Sequence, residues 1–475
     1  MHRFGSLSVC ALLALLPGCA SFSGASAPQQ PGLAIPTEWS APTAALTPDA
    51  TPYWTLLGDP QLDHFVEQAI SSNRDLAQAA SRIALARAAV RASRANFLPQ
   101  VSADARLRRD VGTRANTDPQ FSIGGDAQWE IDLFGRISRD VAASRADLLA
   151  AGFGLADLQR LIVGQVAQTT VSARVLATQL AIARDTLANQ DENLQIAEWR
   201  LQAGLVSSLD VEQARAQRAQ TAASIPALER DLAQAANAIS TLIGEAPGPV
   251  RGALETASTG IPAPPEAAGF QAPAEVLRRR PDVRQAEAVL LADTARIDVA
   301  RAQLLPLVRL TGNIGTASFG LDGLFDLITG GLFAGVNQLI FDGGRTRAQI
   351  DSAEARAQGS LAAWEQTILT ALADVENGDV ALRKARERVD ALTIARGAAS
   401  AAAILARSQY QAGLIDFQTL LTAESQLLAA RNAQAAAEAE RANAFIALQQ
   451  ALGAGAEVAG PPPPIAAPNR DEPNS

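Results

Sequence analysis

The chain has 475 residues, a formal charge of −9 at neutral pH, 48% hydrophobic residues and only 4% aromatic residues. Two histidines and two cysteines leave no material for a histidine-based catalytic triad, a typical zinc site or a disulfide framework, and the mildly acidic balance gives nucleic acid no footing. Alanine-rich, aromatic-poor stretches suit long, closely packed helices better than an enzyme core around a large pocket.

Met1 and Arg3 precede an apolar stretch from Leu7 to Leu16, followed by Leu16-Pro17-Gly18-Cys19. A basic start, a short apolar region and a small residue at the cut describe a secretory signal over residues 1–18. It is too short to span a bilayer core of roughly 30 Å. Cysteine directly after the small residue marks a bacterial lipoprotein signal, so Cys19 is expected to carry diacylglycerol and an N-acyl chain. No other cofactor and no metal is expected. Ala20, where aspartate would favour the inner membrane, points to the outer one. Residues 19–59 read as an acylated N-terminal extension.

From there the chain is a tandem repeat. Asn73-Arg74-Asp75-Leu76 corresponds to Arg280-Pro281-Asp282-Val283, and Arg94 to Pro99 corresponds to Arg301 to Pro306, both at a step of 207 residues. Phe134-Gly135-Arg136 corresponds to Gly343-Gly344-Arg345, and Gln202-Ala203-Gly204-Leu205 is identical to Gln411-Ala412-Gly413-Leu414, both at a step of 209. Repeat 1 covers 60–243 and repeat 2 covers 274–453. The first helix of each is predicted over 60–96 and 282–303, and ends where proline disfavours helix. Hairpins follow at about 97–133 and 304–341. Proline-free helices over 136–203 and 345–412 come next, each roughly 100 Å long at 1.5 Å per residue. Helices of that length need partners along their whole length, hence coiled-coil packing. The alternative is two or three ordinary helices with breaks near Gly152, Gly164 or Gly378. Helices over 207–243 and 415–453 close the repeats, with a kink or a change of helix expected at Pro226. The proline- and glycine-rich stretch 244–273 reads as a surface connector, and 454–475 as a disordered tail.

The hairpin segments alternate. Phe121, Ile123, Ala127, Trp129, Ile131 and Leu133 oppose Ser122, Asp126, Gln128, Glu130 and Asp132. Val101, Ala103, Ala105 and Leu107 oppose Ser102, Asp104, Arg106 and Arg108. Val308, Leu310 and Ile314 oppose Arg309, Thr311 and Asn313, whereas the fourth segment, taken as 332–341, alternates poorly. Such segments suit a transmembrane barrel, but the pattern alone favours a half-buried soluble sheet; the lipoprotein signal and the neighbouring long helices turn the reading to the barrel. Lipid tolerates no open sheet edge, and bacterial barrels have at least eight strands. If these four strands enter a membrane, several chains must share one barrel, and three chains would supply twelve. Arg106, Arg108, Asp126, Glu130 and Asp132 would then line an aqueous lumen.

The chain resembles the outer-membrane efflux factor family of the TolC/OprM type, in particular its NodT-like lipoprotein branch found in resistance-nodulation-division (RND) efflux systems. The resemblance rests on an ordered series of motifs. They are Leu16-Pro17-Gly18-Cys19, Trp54 with Asp59-Pro60-Gln61-Leu62, Trp129-Glu130-Ile131-Asp132-Leu133-Phe134-Gly135-Arg136, Gln202-Ala203-Gly204-Leu205, Ile225-Pro226-Ala227-Leu228-Glu229, Leu242-Ile243-Gly244-Glu245-Ala246-Pro247-Gly248, Arg279-Arg280-Pro281-Asp282-Val283 and Phe341-Asp342-Gly343-Gly344-Arg345. It implies a mainly α fold with a β-barrel part: a trimeric twelve-strand outer-membrane barrel continuing into a long periplasmic α-helical coiled-coil barrel, with 244–273 as an equatorial connector. It further implies that the channel is the exit duct of a tripartite pump, passing small molecules such as drugs, with a periplasmic adaptor and an inner-membrane RND-type transporter as partners. The adaptor would dock at the turns holding Gly204, Leu205, Gly413 and Leu414. Tyr410 and Asp210 match a hydrogen-bonded pair that holds the tip closed. The constriction aspartates of the family align with Thr419 and Thr422, which puts that anionic ring in doubt; Asp416 is the nearby candidate for another. An arginine latch of the family aligns with Ile415 and is expected to be missing.

Two readings stay open beside a drug duct: a duct for metal ions or for type I protein export, and a lipid-anchored periplasmic coiled-coil scaffold with no pore. An enzyme is not expected, because no phosphate-binding glycine loop, nucleophile–base set or metal-ligand spacing occurs.

Overall fold

The computed structural model describes residues 32–40, 52–112, 118–256, 260–265 and 273–456. The signal over 1–18, the acyl site Cys19 and positions 457–475 of the expected tail lie outside the described residues. A 3-10 turn, Thr55–Leu57, leads to α1 (Pro60–Ser72), α2 (Arg74–Ala95), β1 (Gln100–Arg108) and β2 (Gln120–Ile131). Then come α3 (Arg136–Gln202), α4 (Ser208–Leu242), α5 (Pro249–Thr256) and α6 (Pro273–Arg279). The second half continues with α7 (Pro281–Ala302), β3 (Leu307–Ser318), β4 (Ile328–Asn337), α8 (Arg345–Gln411) and α9 (Phe417–Ala451).

Several boundaries differ from the sequence expectation, each for a local reason. The helix expected over 60–96 is two helices. Asn73 is extended, and its Oδ1 accepts from the N–H groups of Asp75 and Leu76 at 2.8 and 3.1 Å, capping α2. The break recurs at Arg280, the repeat equivalent, between α6 and α7. Conversely, α4 runs unbroken through Pro226, so no change of helix occurs there. α3 and α8 are continuous through Gly152, Gly164 and Gly378. Two of these glycines mark close helix approach, not breaks. A Cβ at Gly164 would collide with the Gln450 amide, and one at Gly378 would lie 3.1 Å from Leu448 Cα. The connector is not merely a surface wrap, since α5 buries Val250 and Leu254 in the helical core.

The described chain forms two compact units, and their boundaries cut across both repeats. One holds 86–148 and 288–362; the other holds 32–85, 149–287 and 363–456. Each repeat gives its hairpin to the first and most of its helices to the second.

In the first unit the four strands form one antiparallel sheet in the order β1-β2-β3-β4. The helices join it at one end only, because both hairpins start and finish at helices. The join is built alike in the two repeats. Trp129 Nε1 donates to the Phe97 carbonyl, and Gln338 Nε2 to the Leu304 carbonyl, both at 2.8 Å. Asp132 accepts from the backbone N–H groups of Ile137 and Ser138 at 2.9 and 2.8 Å, and Asp342 accepts from that of Thr346 at 2.8 Å. Each carboxylate thus satisfies N–H groups that the first turn of a long helix leaves open.

In the second unit, Val163, Val166, Ile239, Val375, Phe445 and Leu448 form the centre of a core that also takes Leu62, Phe65 and Val66 of α1. Arg174 is buried beside it and is met by the Asp59 carboxylate at 2.9 and 3.2 Å and by Gln61 Oε1 at 2.7 Å. The segment 32–40 lies along α8, where Glu365 and Glu376 accept from the N–H groups of Gly32 and Ser40 at 3.0 and 2.8 Å.

Candidate functional site

The strand register decides which residues share a face. Asp126 stands between Ser102 and Asn313, and Glu130 opposite Arg309. With Arg106, Arg108 and Gln128 they make one polar face. The other face carries Val101, Leu107, Ile123, Ile314, Leu332 and Val336, which range from 41% to 81% exposed. The poor alternation expected of the fourth strand came from placing it at 332–341. Over Ile328–Asn337, the residues Ile328, Leu332, Ala334 and Val336 fall on the apolar face and Thr329, Gly331, Gly335 and Asn337 on the polar one. Phe333 is the exception: it shares the polar face with Gly331, where an added Cβ would come within 3 Å of the Phe333 ring. β1 and β4 each pair on one side only, so both outer edges of the sheet present unpaired backbone.

The expected lumen residues are not all free in the sheet. Arg106 pairs with Asp104 at 3.0 Å and Arg108 with Asp110 at 2.9 Å. Asp126 stands exposed on the polar face. Glu130, one residue before the strand's end, pairs with Arg136 at 2.8 Å. Asp132 lies one residue beyond the strand end at Ile131, and its carboxylate caps the helix that follows. The alternation simply continued past the point where the backbone turns.

At the far end of the long helices stand the two turns. Gly204 and Gly413 have φ of 70° and 75°, the left-handed conformation that glycine adopts without penalty. Leu205 N–H reaches the Arg200 carbonyl at 2.8 Å and Gly204 N–H that of Leu201 at 2.9 Å; Leu414 and Gly413 do the same to Gln409 and Tyr410 at 2.9 and 3.0 Å. This is the paired bonding of a Schellman C-cap. It leaves Leu205 and Leu414 71% and 75% exposed, side chains with no partner in the chain's own core.

The candidate gate residues just beyond the turns have local work. Asp210 accepts from the Ser207 N–H at 3.1 Å, the reciprocal bond of a capping box. Asp416 caps α9 by accepting from the Thr419 N–H at 2.8 Å. The Thr419 side-chain and backbone hydrogen bonds, in that order, hold the Asp416 carboxyl below its ordinary value. Thr422 Oγ1 bonds back to the Gln418 carbonyl at 2.8 Å. Tyr410 is 2% exposed, packed among Ala214, Ala406, Phe417 and Leu420, and its hydroxyl has no partner. The Tyr410–Asp210 bond is therefore not made within the chain. Asp210 is engaged by its cap, and the tyrosine ring is turned into an apolar cluster. What does meet Tyr410 is Arg200, whose guanidinium carbon stands 4.6 Å from the ring centroid.

Sequence reasoning missed the polar rungs between the two helical hairpins. Asn193 of α3 donates to both oxygens of Glu424 of α9 at 2.7 Å. Arg407 of α8 donates to the same carboxylate and to Asn189 Oδ1, each at 3.0 Å. Arg431 meets Asp185 at 2.5 Å. Asp185, Asn189 and Asn193 follow an i, i+4, i+8 stripe, and that spacing was the signal available in the sequence. Among the described residues no group of His, Cys, Asp and Glu is placed to hold a metal ion.

The profile of the outer membrane efflux protein family matches the chain twice, over residues 65–245 and 272–454, once in each repeat. Nodulation protein T of Rhizobium leguminosarum bv. trifolii is 31% identical over 458 residues, which cover 93% of this chain and 95% of that protein. Cation efflux system protein CusC of Escherichia coli K12 is 31% identical over 455 residues, covering 93% and 99%. The solved structure of the outer-membrane channel OprN superposes with a TM-score of 0.81 at 32% identity, covering 91% of this chain and 98% of that one.

Proposed function

The chain belongs to the outer membrane efflux protein family and is an outer-membrane efflux channel, and from that premise we propose how its own residues perform the task. Three copies join β4 of one to β1 of the next and close a twelve-strand barrel. The observation that carries this reading is a four-stranded sheet with an exposed apolar face and two unpaired edges. In lipid each open N–H and C=O would lack a partner at a cost of several kcal/mol, so closure by further copies is the stable solution. The helices support the same assembly. Ile394, Ile404 and Leu405 of α8 are 61–75% exposed, and an apolar window of that helix is only 17% buried by its own chain. Neighbouring copies are the natural cover.

The polar face becomes the lumen wall, with Arg106, Arg108 and Asp126 in contact with water and cargo. The turns at Gly204-Leu205 and Gly413-Leu414 offer two exposed leucines to a periplasmic adaptor, which couples the duct to an inner-membrane transporter of the RND type. Acylation at Cys19 adds a second membrane attachment; one chain alone binds reversibly, so the barrel supplies the firm hold. The relatives' names speak of nodulation and of cation efflux. Cargo choice, whether small organic molecules, metal ions or proteins, is therefore assigned to the transporter, and the duct to passage. Purified acylated protein should run as a heat-modifiable trimer and conduct ions in planar bilayers. A monomer in detergent, with strand residues open to aqueous reagents, would overturn the shared barrel and leave a scaffold without a pore.

A further inference from the structure

The two strand-joining loops at the end of the sheet away from the helices differ in chemistry. The β1–β2 loop carries Arg109, Asp110 and Asp118, and Asp110 pairs with Arg108. The β3–β4 loop, 319–327, exposes Phe319, Leu321, Phe325 and Leu327 at 59–68%, alongside the exposed carboxylates of Asp322 and Asp326. Four large apolar side chains on nine residues are not what a water-facing loop presents, and contiguous exposed apolar surface of this kind marks a docking face.

The direction in which this loop folds identifies what it meets. Ile123, Thr316 and Ile328 lie in one row across β2, β3 and β4, so the Thr316 side chain is on the apolar face. Its hydroxyl donates to the Leu324 carbonyl. Ser318, two residues along on the same face, accepts from the Gly320 N–H at 3.3 Å. The loop thus folds back over the apolar side of the sheet. It engages the two hydroxyls that would otherwise interrupt that face, and it seats Leu324, which is 6% exposed. Ile314 and Ile328 are exposed on the same face, at 61% each, and Asp322 and Asp326 are the charged residues of the loop, placed where they can stay at the level of the head groups.

We propose that the β3–β4 loop is a lipid-embedded foot, which inserts Leu321, Phe325 and Leu327 among the acyl chains of the outer leaflet. The proposal rests on the barrel reading, since the apolar face must itself meet lipid. Burial of apolar side chains at the level where acyl chains meet head groups is how amphipathic segments hold a membrane surface, and aromatic residues are favoured there. Three such feet, one per copy, would fix the depth of the barrel. The polar β1–β2 loop would stay in water.

The test uses the full acylated chain in vesicles of phosphatidylethanolamine and phosphatidylglycerol. With Cys19 acylated, Leu321→Cys, Phe325→Cys, Leu332→Cys and Val111→Cys each provide one site for a nitroxide. Collision with oxygen, which concentrates in lipid, is compared with collision with a water-soluble nickel chelate. At Leu321 and Phe325 the balance should shift toward oxygen and approach that at Leu332, whereas Val111 in the β1–β2 loop should favour the chelate. Chelate access at Leu321 and Phe325 equal to that at Val111, with Leu332 still in lipid, would sink the foot and spare the barrel. Chelate access at Leu332 as well would sink the barrel. Strong spin–spin broadening at Leu321 or Phe325 would mean that the loops meet one another over the mouth, which also overturns the proposal.

Discussion

At the level of Val163, Phe445 and Leu448 the four long helices meet in an apolar core; toward the turns at Gly204 and Gly413 the same helices meet through a small cluster around Tyr410 and a ladder of polar contacts. The contrast is physical before it is functional. Apolar burial is non-directional and opposes separation in proportion to area, about 25 cal/mol per Å². A polar rung contributes less, because water or a partner protein can replace either half. The turn end is therefore the end that rearranges at the lower cost, and the core end is the one that holds.

The largest effect is expected at the core. Asp59→Ala strands the buried Arg174 guanidinium, which loses both its carboxylate bonds and should cost about 3–5 kcal/mol. Thermal melting of the solubilised trimer would read this, and the double replacement Asp59→Leu with Arg174→Leu should recover most of the loss. A single variant that melts like the wild type would erase the difference between the two levels.

Glu424→Ala removes the acceptor shared by Asn193 and Arg407 and should cost about 1–3 kcal/mol, less than the core variant. Its distinguishing readout is single-channel conductance, which should rise because the rungs near the turns are released. Equal conductance with lowered stability would make the ladder structural only.

Smaller still is the contact on Tyr410. Arg200→Ala forfeits a cation–π contact of about 0.5–1 kcal/mol. Tyr410→Phe removes a hydroxyl that has no partner in the chain and should leave the melting of the solubilised protein within about 0.5 kcal/mol of the wild type. If Tyr410→Phe nevertheless raises trimer conductance, the hydroxyl finds its partner across a subunit boundary.

The mildest test is pH. The folded pKa of Asp416 is lowered by its bonds to Thr419, so its capping contribution is present above the unfolded pKa and is lost only as pH falls through the depressed folded value. Amide exchange at Thr419 should stay protected down through the ordinary carboxylate range, near 3.8, and Asp416→Asn should make that protection insensitive to pH. Protection already lost near the ordinary value in the wild type would contradict the cap.

Much of the architecture was legible in the residues because its causes are local. Proline stops helices at Leu98-Pro99 and Leu305-Pro306, glycine alone fits the left-handed turns at 204 and 413, and two-residue alternation marks three of the four strands. The repeat copies all of these. The site was less legible. Within the chain Asp210 forms a cap and Tyr410 joins an apolar cluster, because a carboxylate three residues into a helix has a backbone N–H within reach. Asp132 shares the parity of a lumen residue, but parity says nothing of where the strand ends.

Local chemistry thus decided the order of elements, the duplication, the turns and the membrane-facing alternation, since each depends on residues only a few positions apart. Pairing decided the rest. The register of β4 against β3, the ladder joining Asn193 to Glu424 across 231 positions, and the loop folded onto Thr316 all depend on what meets in space. Periodicity within one segment carries no record of its partner, so only the assembled chain could show them.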